Sequence, residues 1–258
     1  MISSPRNPRV AAALRLGRRA FRDEDRAFLA EGAQAVGEAL AARALTALFC
    51  IDPSQPLVER ARRDGVEIVH VSPTVMERLS ATVTPQGLVG IAGFLDVPLA
   101  ELPAALDCVA LLHEVRDPGN AGTVLRSADA AGAAAVVFTA TSVDPYNPKA
   151  VRASAGSIFH LPVVRSAATA DAVAALRDRG LAVYAMAADG ETALDDADLA
   201  RPVAFLFGNE AAGLPADVRA LADAAVRVPI DPRAESLNLA TAAAVCLYAS
   251  AGAQRAPQ

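Results

Sequence analysis

Residues 203–248 read VAFLFGNEAAGLPADVRALADAAVRVPIDPRAESLNLATAAAVCLY, and this stretch decides the fold class. A short apolar run, Val203 to Phe207, stops at Gly208. A loop carrying Asn209, Glu210 and Gly213 follows. A second short run, Ala225 to Val228, meets Pro229, Ile230, Asp231 and Pro232. Ser236, Leu237 and Asn238 then open an Ala-rich stretch with helical spacing. Apolar runs this short, bounded by turn residues, read as buried strands rather than helices. Two strands that each end in a polar, Gly- or Pro-bearing loop predict an α/β domain. In such domains ligands bind beyond the carboxyl ends of parallel strands. A small molecule is therefore expected at these two loops.

Outward from this stretch the alternation continues. Strands are expected at 107–112, 134–138, 181–186, 203–207 and 225–228, and helices near 120–131, 148–155, 169–179 and 237–251. That order predicts an α/β fold with a mostly parallel sheet covered by helices. Residues 96–104, DVPLAELPA, form a Pro-containing connection. They divide the chain into residues 1–98 and residues 104–258. The first part alternates too: a basic helix over 11–22, a strand in RAFLAEG, helices at 33–43 and 55–63, strands at 44–51, in GVEIVHV and in LVGIAGF, and a helix begun after Ser72. It reads as a small α/β domain.

Composition narrows the function. Hydrophobic residues make up 53% of the 258-residue chain and aromatics only 4%, so the core must be built from Ala, Val and Leu. The net charge of −5 excludes a generally basic nucleic-acid binder. Residues 1–30 nonetheless gather Arg6, Arg9, Arg15, Arg18, Arg19, Arg22 and Arg26. Such a patch can bind phosphates, because screening confines its field to about 8–10 Å; the alternative is a solvated helix face. Cys50, Cys108 and Cys246 sit in apolar runs without a close partner cysteine, as buried free thiols do in a reducing compartment. No Cys/His spacing suggests zinc or another metal. No signal-peptide core and no membrane-length apolar run occurs, so a cytoplasmic protein with no membrane association is expected. Neither a P-loop nor a GxGxxG fingerprint is present, which disfavours a triphosphate site and a nucleotide-binding dehydrogenase.

Several residues stand out, each with a plain structural reading beside the functional one. In DPGNAGTVLR, residues 117–126, Asn120 is expected to cap the helix that follows. Arg126 lies on that helix among Val124, Leu125 and Ala128, and an ion pair with Asp129 is its structural alternative. Asn120 and Arg126 are about 240° apart round the axis, so they meet only if Asn120 sits at the cap and Arg126 reaches back. Gly208 permits close backbone approach to a ligand. Glu210 can serve the positive end of a following helix. Ser236 is a suitable N-cap for the last helix. Lys149 and Arg152 fit either phosphate contacts or a solvated helix start.

GNEAAGL (208–214) and VPIDPRAESLNLATA (228–242) resemble the second and third motifs of the SpoU (TrmH-like) RNA ribose methyltransferases. DPGNAGTVLRSADAAGA (117–133) resembles the first. Three ordered motifs are a far more specific signal than one glycine pattern. FLAEG is similar, more weakly, to the ribosomal-protein-like substrate-binding domain that precedes the catalytic domain in many of these enzymes. The resemblance implies a C-terminal trefoil knot, S-adenosylmethionine as cofactor, a homodimer, and methylation of a ribose 2′-hydroxyl. The acceptor it implies is RNA, ribosomal RNA (23S) ahead of tRNA. By resemblance, Asn120, Arg126, Glu210, Ser236 and Asn238 are the catalytic set, with Arg126 either the base or an electrostatic stabiliser. Phe207, Gly208, Val228, Ile230 and Leu237 match positions that cradle the cofactor. A base-nitrogen methyltransferase of the same knotted class fits the motifs less well. A non-catalytic RNA-binding protein on the same fold is the remaining alternative.

Overall fold

A computed structural model describes residues 1–82 and 84–255. The chain divides into two compact units. One comprises Met1–Leu95 and Tyr146–His160, the other Asp96–Pro145 and Leu161–Gln258.

The first unit carries strands β1 (Ala27–Glu31), β2 (Leu45–Cys50), β3 (Glu67–His70) and β4 (Leu88–Gly93). They form one sheet in the order β1-β4-β2-β3, antiparallel except for β2 and β3. Helices α1 (Pro8–Arg15), α2 (Arg19–Asp25), α3 (Ala33–Ala41), α4 (Pro56–Arg63) and α5 (Pro73–Leu79) accompany it. Asn7 caps α1 and Ser72 caps α5, each with Pro in the first turn, where a missing N–H costs nothing.

The basic helix expected over 11–22 is interrupted. It ends at Arg15, a separate helix begins at Arg19, and Gly17 lies between. The arginine patch is mostly consumed internally. Arg9 pairs with Glu67 at 3.1 Å, Arg15 with Glu24 at 3.2 Å and Arg19 with Asp23 at 3.5 Å. Arg22 is only 2% exposed and donates to the Leu16 carbonyl, and the Arg26 guanidinium lies 4.9 Å from the Phe94 ring centre. Local charge counting missed this because the partners sit in the fold or one helical turn away.

Residues 146–160, expected to belong wholly with the second half of the chain, fold with the first unit. Aromatic packing explains it. The chain has only eight Phe and three Tyr, and four of them converge here. Tyr146 stacks on Phe94 at 4.1 Å and lies 4.6 Å from Phe28, which stacks on Phe159 at 5.7 Å. The Leu95 N–H donates to the Tyr146 hydroxyl at 2.7 Å. Each such ring pair adds about 0.5–1.5 kcal/mol beyond its buried area. Helix α7 (Pro148–Ala153), capped by Asn147, is thereby part of the first unit.

The second unit is built on strands β5 (Cys108–Leu112), β6 (Ala135–Thr139), β7 (Val163–Ala167), β8 (Ala182–Met186), β9 (Thr192–Ala193), β10 (Val203–Phe207) and β11 (Ala224–Arg227). All pair in parallel, in the order β7-β6-β5-β10-β8-β11-β9. β5, β6 and β10 are buried along their whole length, as expected of a sheet covered on both faces. Helices α6 (Pro118–Ala131), α8 (Thr169–Asp178), α9 (Ala216–Arg219) and α10 (Leu239–Arg255) complete the unit. α10 packs along α6. Strands β7 and β9 and helix α9 had no prediction; β7 is buried only at its first two residues, and β9 is two residues long. Cys50, Cys108 and Cys246 are buried free thiols. Burial pushes the Cys108 thiol up to about 11 and Cys246 to about 12. Among the described residues no helix is long and apolar enough to cross a membrane, and no group of three or more His, Cys, Asp or Glu could hold a metal ion.

Candidate active site

From β5 the chain moves outward to β6 and β7, then returns past β10's place in the sheet to β8. This reversal puts a crevice at the carboxyl ends of β10, β8 and β11, the usual ligand position in open parallel sheets. A cavity of about 210 Å³ lies there. Phe207 and Gly208 border it at the end of β10, Met186 to Ala188 at the end of β8, and Val228 and Ile230 after β11; Ser236 and Leu237 just before α10, and Leu239 and Ala242 in its first turn, close it. Every residue expected to cradle the cofactor therefore lines one cavity. Met186, Ala187, Ala188, Leu239 and Ala242 were not anticipated. Met186 ends the predicted strand 181–186 and Ala187 and Ala188 follow it, so the rule that named the other loops also applied to them.

The loop after β10 is held by Asn209. Its backbone exchanges hydrogen bonds with Gly213, at 3.0 and 2.9 Å. Its side-chain oxygen accepts from the Ala211 and Ala212 N–H groups at 3.0 and 3.1 Å, and its amide donates to the Glu114 carbonyl at 2.9 Å. The motif's asparagine, given no role from sequence, is what shapes the motif.

Glu210 joins this loop to the first motif. Its carboxylate accepts from the N–H groups of Arg116 and Asp117, each at 3.0 Å, and from Asn120 Nδ2 at 3.1 Å. The helix start it serves is α6, some ninety residues earlier in the chain, and not the helix that follows it. The cap of α6 is Asp117, whose Oδ1 accepts from the Asn120 N–H at 2.9 Å. Asn120 is thus inside the first turn, which leaves its side chain free for Glu210. Burial alone raises the Glu210 pKa, but the Arg116 and Asp117 amides and Asn120 outweigh it, so the carboxyl sits below its ordinary value.

An ionised carboxylate can only accept, and this orients the rest of the chain. Asn120 must turn Nδ2 to Glu210 and Oδ1 away. Asn238 Nδ2 then donates to Asn120 Oδ1 at 3.0 Å, which leaves Asn238 Oδ1 to accept from the Ala240 and Thr241 N–H groups at 2.9 and 3.3 Å. Asn238, not Ser236, caps α10. Ser236 lies on the cavity wall and is exposed. Three motifs, far apart in sequence, are wired into one hydrogen-bonded line.

Arg126 is not part of that line. It is exposed on α6 and makes no hydrogen bond or ion pair among the described residues; the pair with Asp129 does not form. Its guanidinium is therefore uncommitted.

Glu210→Gln tests the line. One carboxylate oxygen becomes an NH₂ facing donors, an arrangement that costs about 1–3 kcal/mol when buried and nearer the lower bound at this half-open site. A roughly 5- to 10-fold loss of activity at this site is expected. Because the folded pKa is depressed, the stabilisation from Glu210 is complete above the unfolded value near 4.5 and disappears as pH falls through the folded value. Urea titrations between pH 7 and 3 should show this component in the parent and not in Glu210→Gln.

The SpoU rRNA Methylase family model matches residues 107–248, and the MRM3-like substrate binding domain model matches residues 7–90. The chain is 32% identical over 247 residues to the 23S rRNA (guanosine(2553)-2′-O)-methyltransferase RlmP of Bacillus subtilis, covering 96% of this chain and 97% of that one. It is similar in structure to an AdoMet-bound rRNA methyltransferase from Sinorhizobium meliloti, with TM-score 0.88, 33% identity and 96% of each chain covered. The SpoU methyltransferase AviRb of Streptomyces viridochromogenes, in complex with AdoMet, matches with TM-score 0.90 and 28% identity over 98% of this chain and 100% of that one. With the motifs of the family gathered at one crevice and its model matched across more than half of its length, this chain belongs to the SpoU rRNA methylase family.

Proposed function

We propose that this chain transfers the methyl group of S-adenosylmethionine to a ribose 2′-hydroxyl of 23S rRNA. The observation that carries the reading is the crevice itself. Its walls are mainly apolar, with Asn209 and Ser236 among them, and Glu210 is the one charged side chain on them among the described residues. That suits an uncharged nucleoside joined to a sulfonium cation, and it offers nothing to a triphosphate or to the phosphates of a dinucleotide. The relatives named above support both cofactor and acceptor.

The bound cofactor supplies an electrophilic methyl group; the chain must position the acceptor and assist loss of its proton. Asn120 and Asn238, held in one orientation by Glu210, are suited to present fixed amide dipoles at the crevice edge. Ser236 offers a hydroxyl on the same wall. The uncommitted guanidinium of Arg126 is suited to hold an RNA phosphate and to stabilise the alkoxide that develops.

Residues 104–258 apart from 146–160 form the catalytic part of this reading, and residues 1–98 together with 146–160 the RNA-binding part. The enzyme acts in the cytoplasm as a homodimer, with the C-terminal chain knotted as in its family. Support for the dimer comes from α10, where Val245 and Tyr248 are exposed; a second copy would cover them. The decisive experiment is on the product. A methylated 2′-hydroxyl cannot attack the neighbouring phosphate, so the modified linkage in 23S rRNA should resist alkali. Labelled methyl recovered on a free base, or on tRNA alone, rejects the assignment.

A further inference from the structure

The first unit holds a cavity of its own, of about 190 Å³. That is below the roughly 300–1,000 Å³ of pockets that enclose whole small ligands. Leu29 of β1, Leu79 of α5 and Val151 of α7 make an apolar floor, while Arg78, Arg152 and Glu31 add charge. Arg78 and Arg152 are exposed, and neither makes a hydrogen bond or ion pair among the described residues. This sets them apart from the arginines of α1 and α2, most of which are paired or stacked.

Glu31 is largely committed. Its Oε1 accepts from the Ser80 and Thr82 hydroxyls, and its Oε2 accepts from the Ala81 N–H at 3.0 Å. A carboxylate has about four acceptor positions, so one on Oε2 remains. Burial pushes the Glu31 pKa up, but these bonds and the Arg152 charge outweigh it and keep the group an acceptor.

We propose that this cavity receives one unpaired nucleotide of the RNA substrate. Its base lies on the apolar floor with an amino group donating to Glu31, and the flanking phosphates rest on Arg78 and Arg152. The inference deepens the reading of the chain as an RNA methyltransferase and rests on it. Each alternative meets an obstacle in the same residues. A free anion meets Glu31 and an apolar floor. An acidic peptide places carboxylate against carboxylate. A duplex cannot enter a hole of this size, whereas sequence-reading of RNA relies on splayed single-stranded bases. Guanidinium forks suit phosphate, and a carboxylate reads an exocyclic amine, as on cytosine. Uracil has none.

The test uses the full chain and its Arg78→Gln/Arg152→Gln variant, which should stay close to the parent in thermal stability, because both side chains are exposed and only the charge of Arg152 acts on Glu31. Binding of short oligocytidylate, oligouridylate and an RNA duplex is followed by fluorescence anisotropy over a salt series. The parent should prefer oligocytidylate to oligouridylate by about tenfold, the discrimination of one good base contact. The double variant should bind oligocytidylate at least about 30-fold more weakly, with a salt slope smaller by about 1.4, the value for two single-strand phosphates. Unchanged affinity, equal binding of the two oligonucleotides by the parent, or equal loss on duplex and single strand would each overturn the proposal. So would loss of polyglutamate binding with RNA binding intact, which would assign the surface to an acidic protein. Methylation of 23S rRNA at limiting RNA is scored separately. Normal methylation by the variant rejects the cavity and leaves the enzyme reading standing. No methylation by the parent, with the oligonucleotide differences intact, rejects the enzyme reading and leaves the cavity.

Discussion

Arg126→Lys should lower single-turnover methyl transfer at least roughly 100-fold, or about 2.7 kcal/mol of transition-state stabilisation. The structure sharpens this expectation by removing its main competitor. An arginine that only pairs with Asp129 at the surface would tolerate lysine at a cost well under about 1 kcal/mol, but that pair is not formed and the side chain is exposed and uncommitted. An uncommitted guanidinium contributes little to stability, so the unfolding temperature of the variant should match the parent. Its value lies in geometry: a planar fork can span two oxygens, whereas an ammonium is a point charge of different reach. S-adenosylmethionine affinity should also hold, because Arg126 does not line the crevice. Near-normal turnover on natural RNA would remove Arg126 from the catalytic set. A matched loss of cofactor affinity would mean that α6 itself had shifted.

Gly208→Ala should have the opposite signature, a loss of cofactor binding of about 100-fold by calorimetry, equivalent to about 2.7 kcal/mol. A Cβ built at Gly208 would lie 2.4 Å from the Gly213 carbonyl carbon and oxygen and 2.7 Å from the Leu214 nitrogen. These are backbone atoms, so no rotamer change relieves the clash. The loop must retreat by roughly 1 Å to restore ordinary contact near 3.5 Å. That retreat opens the Asn209–Gly213 pair and moves the wall that Phe207 and Glu210 share. Overpacking of this kind costs about 1–3 kcal/mol of stability. Gly213→Ala is the control. Nothing lies within 4 Å of its added Cβ, but φ is +67°, so the strain of about 1–2 kcal/mol falls on the turn with less effect on the crevice. Equal cofactor affinity in Gly208→Ala and the parent would show that the loop is softer than its hydrogen bonds indicate.

Much of this molecule was legible in one dimension. Short apolar runs ending in Gly or Pro announced the parallel strands, because a strand buried on both faces needs continuous apolar sequence and its turn needs special backbone. The crevice loops followed from the same rule, whereas Phe207, Gly208, Val228, Ile230 and Leu237 were singled out within them by resemblance to the SpoU motifs. Local sequence could not assign the caps. Asn120 and Ser236 were the expected caps of α6 and α10, yet Asp117 and Asn238 hold those positions. Any of these side chains can cap, and the choice is made by the tertiary hydrogen bonds that fix each amide's direction. Glu210, brought in from another strand, takes the side chain of Asn120; Asn120 in turn orients Asn238.

The sequence by itself determined what depends on neighbours along the chain: strand and helix alternation, the apolar core, the loops at strand ends and the motif residues. The tertiary structure decided what depends on neighbours across it. It engaged Arg9, Arg15, Arg19, Arg22 and Arg26 with partners within the first unit and drew residues 146–160 into that unit through four aromatic rings. It also set the direction of every amide in the Glu210–Asn120–Asn238 line. The physical reason is range: backbone propensity and hydrophobic period act over a few residues, whereas ion pairs, ring stacking and hydrogen bonds select partners by proximity in space.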